Sequence, residues 1–358
     1  MYDDKKNERR TTLIAGLILL IVLAAVVAMP AGSGAAAKTI VAKQVSSSRT
    51  HMTPPRRFVP RLHYQAVRQM LGSLGTIDQP MAACFGDEAL VAYDLGIAPA
   101  AAIDVLVQLL ETSAPEVHEW LRGVLDEFRI WSGLDPEIDL LPHLGHGMAV
   151  GLLPPESDDD GWPLPRKVVI MRVLDEDAVS RYLDEWITWE AGAVAPMTQG
   201  VLGASVWSQR VSGFDIVGLR LNGLLPARLP LPSPSYVVLG EFLIVSPVRS
   251  AVVETLDRLQ EGCVSSPVGI ADETVVEEVW LNFPEWPETW ERAEPLLESV
   301  MDWLGAESPE AIRAGRSLVG FLGEFGPAHG TTSLTPEGGF VFTIEMTPQT
   351  PKLTPLDP

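Results

Sequence analysis

The chain has 358 residues, 46% of them hydrophobic, with 47 Asp or Glu against 26 Lys or Arg, so it holds enough apolar side chain for a sizeable core. The charge is divided: residues 1–61 carry ten basic and three acidic side chains, residues 62–358 carry sixteen and forty-four. A body this acidic repels phosphate backbones, which argues against nucleic acid as a partner and leaves basic partners, divalent cations or plain solubility.

Every residue from Leu13 to Met29 is apolar, and no charge stands between Arg10 and Lys38. At about 1.5 Å per residue, a helix over that run comes close to crossing a hydrocarbon core of roughly 30 Å. The sequence thus predicts a cytoplasmic tail over 1–10, a transmembrane signal-anchor over 11–30 and a flexible basic tether over 31–57. An extracytoplasmic domain over 58–347 and a Pro-rich tail over 348–358 follow. Lys5, Lys6, Arg9 and Arg10 suit an amino terminus left inside, although Lys38, Lys43 and Arg49 weaken the charge rule on the other flank. A short tail followed by an acidic bulk favours the same orientation. Ala35-Ala36-Ala37 supports a rival reading, a cleaved signal peptide, but the apolar run exceeds the usual length of about 7–15 residues.

Cys84 and Cys263 are the two cysteines. An extracytoplasmic setting permits a disulfide, but spacing does not show that they meet, and the favoured reading is two small buried apolar residues.

Beyond Asp94 and Pro99, a helix with Ile103, Leu106, Val107 and Leu110 on one face is expected. Ser113 and Glu116 have the spacing of a capping box ahead of a second helix through Val117, Trp120, Leu121, Val124, Leu125 and Phe128, which Gly133 stops. Gly147–Leu153 and Val168–Leu174 read as paired strands, and Asp175, Glu176 and Asp177 open a helix with Val179, Tyr182, Leu183 and Trp186 buried. Strands are expected at Ala204–Val211, Asp215–Asn222, Tyr236–Leu239 and Phe242–Val245, the last two joined by a Gly240-Glu241 turn of type II′. Ser246 and Pro247 suit the start of a helix burying Val248, Val252, Thr255, Leu256 and Leu259.

The final third repeats the order of the first. A strand Val279–Phe283 is broken by Pro284; a helix runs towards Trp303, another from about Pro309 to Gly323, and a hairpin follows in which Phe340, Phe342, Ile344 and Met346 form an apolar face. Strand, helix, helix, strand, strand thus occurs from about Leu90 to Leu174 and again from about Val276 to Met346, with a His-Gly pair recurring at His146-Gly147 and His329-Gly330. The expected fold class is α+β: two related halves, about 62–195 and 196–347, of mostly antiparallel sheet with covering helices on one face, preceded by a single N-terminal transmembrane helix.

The run from Gly133-Leu134-Asp135 through Asp139-Leu140-Leu141-Pro142-His143-Leu144-Gly145, the segment Val168–Trp186 and the hairpin Tyr236–Ser246 with its helix resemble a bacterial family of membrane-anchored or exported proteins catalogued as a domain of unknown function. The resemblance spans most of residues 62–347 through structural motifs. It implies an envelope location, with the domain on the periplasmic or extracellular side of the inner membrane, and this α+β architecture. It carries over no catalytic residue.

Searching for chemistry returns little. Neither a Gly-x-Ser-x-Gly elbow nor a phosphate-binding Gly-rich loop nor a His-Glu-x-x-His helix occurs. His143 and His146 stand three apart without a third ligand nearby. Glu156, Asp158, Asp160 and Gly161 fit the first half of a calcium loop, but Lys167 stands where the bidentate carboxylate belongs. Of ten Trp, Trp280, Trp286, Trp290 and Trp303 gather late in the chain, and Trp186 and Trp189 end an earlier helix; packing is the first expectation for them, a cleft or interface the second. No catalytic, cofactor or metal residue is assigned and no cofactor is expected. The expected function is a non-enzymatic, membrane-tethered binding or scaffolding protein with an envelope protein partner. A carrier or sensor of an apolar, lipid-like ligand is the alternative, and an enzyme with an unrecognised site is third.

Overall fold

The computed structural model describes residues 75–77, 80–113, 115–156, 163–197, 202–223, 232–263, 275–304, 309–334 and 340–346. The expected tail, signal-anchor and tether over 1–57, the Pro-rich tail over 348–358 and the acidic loop bearing Asp158, Asp160 and Gly161 lie outside these residues. Among the described residues no helix is long and apolar enough to cross a membrane.

Chain order runs β1 (Val91–Leu95), α1 (Pro99–Ser113), α2 (Pro115–Ser132), the single turn α3 (Pro136–Asp139), β2 (Leu144–Leu153), β3 (Arg166–Val173) and α4 (Glu176–Met197). Two hairpins follow, β4 (Leu202–Val211) with β5 (Phe214–Gly223) and β6 (Ser235–Leu239) with β7 (Phe242–Ser246), then α5 (Arg249–Gln260). The last third is β8 (Val275–Leu281), α6 (Trp286–Leu304), α7 (Pro309–Leu322), β9 (Ala328–Leu334) and β10 (Phe340–Met346). The class is α+β: all ten strands join one antiparallel sheet in the order β10-β9-β8-β1-β2-β3-β7-β6-β5-β4.

As third and fourth strands of that order, β8 and β1 lie antiparallel, with Val91 opposite Leu281 and Leu95 opposite Glu277. Outward from this seam the sheet reads β1-β2-β3 on one side and β8-β9-β10 on the other, each trio interrupted after its first strand by a helix pair. The recurring units are therefore 91–173 and 275–346, and 176–260 forms an extension beyond β3. A boundary at 195/196 falls inside α4.

Covering helices on one face is an expectation the structure corrects. Met148, Val150, Met171, Val173, Leu243 and Tyr236 point to one face, where Ile103 of α1, Phe128 of α2 and Val179, Tyr182, Leu183 and Ile187 of α4 pack on them. Their chain neighbours Ala149, Val168, Ile170, Ile244 and Val237 point to the other, under Ala251, Val252 and Leu256 of α5 and the 3-10 turn Ala82–Phe85. Side chains alternate across a strand, so strands buried on both faces must be apolar throughout. The runs Val168–Met171 and Phe242–Val245 have that character.

Cys84 of the 3-10 turn is bridged to Cys263, just after α5, with Cα atoms 4.9 Å apart; the reading of two unlinked buried cysteines is overturned. The bond fastens together the two elements that cover the second face, and the Arg258 guanidinium of α5 also donates to the Phe85 carbonyl. Phe85 itself is fully buried, and a Cβ added to Gly151 of β2 would stand 2.6 Å from its ring. Only glycine allows this approach, so Gly151→Ala should lower stability by about 1–3 kcal/mol through overpacking, read as a shifted urea midpoint with unchanged slope. An unshifted midpoint would mean that the turn is not seated on β2.

Local chemistry accounts for most element ends. Asp175 accepts the Ala178 N–H (3.0 Å) at the start of α4, and Gly240 takes φ +56° in the two-residue turn between β6 and β7. Several expected bounds move, among them the α5 start and both ends of β8. Ser246 stays in β7 opposite Ser235, where its hydroxyl donates to the Lys167 carbonyl (2.6 Å) and accepts the Val248 N–H (2.9 Å), so α5 begins at Arg249 rather than at Pro247. β8 starts at Val275 and ends at Leu281, because Phe283 already lies in a 3-10 turn with Pro284. The side chains of Ser113 and Glu116, the expected capping box, lie outside the described residues.

Candidate functional site

Among the described residues a seam, a charged cleft and an apolar corner are candidate sites, and the first is the seam. Asp94 of β1 and Glu278 of β8 are register partners, each side chain 1% exposed. Asp94 accepts the Ala82 N–H on Oδ2 (2.7 Å), and His329 of β9 lies with Nε2 2.8 Å from Glu278 Oε1. Asp94 Oδ1 and Glu278 Oε2 are buried without partners. Burial pushes the Asp94 carboxyl up to about 8; the Ala82 and Met81 amides oppose the rise and the Glu278 charge adds to it. Burial also raises Glu278, against the pull of His329. Burial therefore favours the neutral form of Asp94, and the two unpaired oxygens lie desolvated on paired strands. On the opposite face Glu277 accepts from the Tyr93 hydroxyl (2.7 Å) and from Thr332 Oγ1 (2.8 Å).

The second place is a cleft of about 700 Å³ where α5, the start of α6 and the β2–β3 connection meet. Glu88, Glu156, Glu254, Glu285 and Glu288 line it with Arg166 and Arg292. Its charges are largely spent on one another. Arg166, almost wholly buried, binds Glu254 (2.8 Å) and the Pro154 carbonyl (2.8 Å); Arg258 joins Glu254 (2.9 Å) to Glu88; Arg292 holds Glu288 (2.6 Å). Neither this cleft nor the notch described next includes Asp94, Glu278 or His329 in its lining.

The third is apolar. At the end of α2, Ile130 is 80% and Trp131 70% exposed, and Ile138 of α3 is 68% exposed. Arg129 orders this corner by reaching Asp126 (3.2 Å), Asp135 (3.0 Å) and Glu137 (2.6 Å). Trp189 of α4 donates its indole N–H to the Trp131 carbonyl (3.2 Å), meets Phe128 edge to face and lines a shallow notch with Leu134, Asp184, Glu185 and Thr188. The corner thus presents three large apolar side chains, Ile130, Trp131 and Ile138, on a framework fixed by ion pairs, beside a notch with an acidic lip.

The residues singled out from sequence scatter. His143 Nδ1 lies 3.7 Å from Asp175, His146 is exposed in the irregular start of β2, and no metal-binding group of three side chains occurs among the described residues. Glu156 accepts from Ser250 at the cleft. The two His-Gly pairs take different roles: His329 is ion-paired in a regular strand, His146 is not. Trp286 donates to the Leu90 carbonyl (3.4 Å), Trp290 to Glu294 (3.1 Å), and Trp186 packs on the first core, so these three serve packing; the Trp303 side chain lies outside the described residues. Asp94 and Glu278 were invisible in the sequence because 184 positions separate them and only strand pairing brings them together. Trp131 at the tail of a helix was a legible signal, its exposure was not.

No family model matches the chain, and neither a curated protein nor a solved structure matches it.

Proposed function

We propose that the chain is a membrane-tethered, extracytoplasmic binding or scaffolding protein of the bacterial envelope, non-enzymatic, held in the inner membrane by residues 11–30 with its amino terminus in the cytoplasm. The observation that carries the binding role is the Ile130–Trp131 corner. Tryptophan is enriched among interface anchors, and an exposed apolar patch on a chain of formal net charge −21 marks a contact surface. The Cys84–Cys263 bridge supports an oxidising compartment and hence the outward placement of the domain. The recurring units 91–173 and 275–346 we read as copies of one duplicated unit; a superposition that failed to align their strands would reject this.

A lipid-like ligand fits less well, because the larger cleft is lined by charged side chains and the notch is shallow. An enzyme fits least, since Asp94 and Glu278, carboxyls raised by burial, are sealed in the seam away from the cleft and the notch.

The test uses the full chain in crosslinked membranes. Trp131→Ala with Ile130→Ser should reduce recovery of the bound protein about tenfold or more while leaving the fold intact. Equal recovery with the variant, or repeated failure to recover a partner, would overturn the binding role. A carboxyl-terminal reporter active only in the cytosol would overturn the location.

A further inference from the structure

β10 is an edge of the sheet, and its described side chains, 341–346, are exposed on both faces, with Phe342 50%, Ile344 59% and Met346 51% exposed. Edge strands are normally blunted by lysine, proline, bulges or a covering element, because their free N–H and C=O groups template further pairing. β10 has one charged residue, Glu345, and no lysine or proline. The other half of the molecule shows what belongs there. β3 is the third strand out from the seam on its side, as β10 is on the other. The outer edge of β3 is occupied by β7, antiparallel, from Val169 opposite Val245 to Arg172 opposite Phe242. The apolar face of β3 at Val169, Met171 and Val173 is covered by α4. Among the described residues no strand pairs the outer edge of β10 and its side chains at 341–346 are exposed.

We infer that β10 is a homodimerisation edge, which a second copy of this chain occupies with its own β10, antiparallel, about a two-fold axis at Thr343. The sequence of the strand selects this occupant and register. Paired about Thr343, all seven residues of Phe340–Met346 find partners, Phe342 stands opposite the partner's Ile344 and Ile344 opposite the partner's Phe342. Apolar side chains then form one row on one face. Glu345 meets the partner's Val341, which keeps the two carboxylates apart. Moving the axis to Phe342 or Ile344 leaves two residues of each strand unpaired, and moving it to Glu345 sets like charges face to face, which destabilises a strand pair. The product joins two ten-stranded sheets through an isologous contact.

The two native cysteines are bonded to each other, so an introduced thiol has no competitor within the chain. Full-length protein in its membrane should oxidise to a covalent dimer when it carries Thr343→Cys, at least tenfold more than when it carries Glu345→Cys. Co-expressed Val341→Cys and Glu345→Cys chains should crosslink as a mixed pair. In the detergent-solubilised full chain, sedimentation should give a dimer that Ile344→Lys weakens at least tenfold; Ile344 is exposed, so the fold survives the change. A monomer at tens of micromolar with no crosslink through Thr343→Cys overturns the inference. So does equal crosslinking at 343 and 345, a crosslink to a different protein, or a dimer indifferent to Ile344→Lys. Loss of partner capture in the Trp131 variant leaves all of these readings unchanged, so the two proposals fail separately.

Discussion

Replacing Cys84 and Cys263 together by alanine is expected to lower stability by about 4–5 kcal/mol, a large share of what holds a domain folded. The bond closes a loop between positions 179 apart, so the unfolded chain gains much freedom when it is removed. The native cost falls on one face, where the turn Ala82–Phe85 and α5 cover Ile170, Val237 and Ile244, all at 0% exposure. Loosening that cover exposes Phe85 and Leu256, which are also fully buried. Urea titrations of wild type with and without reductant, and of the double variant, should show the reduced wild type and the variant together at lower denaturant. A variant as stable as the oxidised wild type would refute this, as would alkylation of both thiols in native, unreduced protein.

The second large effect concerns pH. Asp94 titrates near its ordinary value of 3.8 when unfolded and at about 8 when folded, because burial opposes its charge. Between those values the folded state holds a proton that the unfolded state has released. Stability is therefore fully present below about pH 4 and is lost as pH rises through 8, by up to about 1.4 kcal/mol for each pH unit. Glu278 contributes in the same direction, so the informative quantity is a difference. Asp94→Asn keeps an oxygen for the Ala82 N–H and does not titrate. Urea midpoints measured at pH 5, 6, 7 and 8 should fall more steeply for wild type than for the variant, which should be the more stable protein at pH 8. Parallel slopes would mean that Asp94 is not held neutral in the seam.

Much of the architecture was legible because it is written in local periodicity. The stripe Val179, Tyr182, Leu183 with the acidic start at Asp175–Asp177 marked α4, and Gly240-Glu241 marked the β6–β7 hairpin; the α4 start and the hairpin stand within a residue of where they were expected, whereas α4 runs on to Met197, past the end expected at Trp189. The recurrence of strand, helix, helix, strand, strand was also readable, since order needs no contact. The α5 start was misplaced because Ser246 and Pro247 have the chemistry of a helix opening, while the Lys167 carbonyl across the sheet claims the Ser246 hydroxyl. The expectation of one covered face failed for a readable reason, unbroken apolar strands such as Val168–Met171, which alternation rules reserve for burial on both sides.

By itself the sequence determined the divided charge, the apolar run Leu13–Met29, the class of the fold and the positions of most helices and strands, because each depends on residues a few positions apart. Tertiary structure decided which strands are neighbours, and with that the Cys84–Cys263 bond, the Asp94–Glu278 seam, the exposure of Trp131 and the open edge at β10. Those are contacts, or absences of contact, between residues as far apart as Val91 and Leu281. Hydrogen-bonded strand pairing selects them, and no periodicity within one segment records which other segment it will meet.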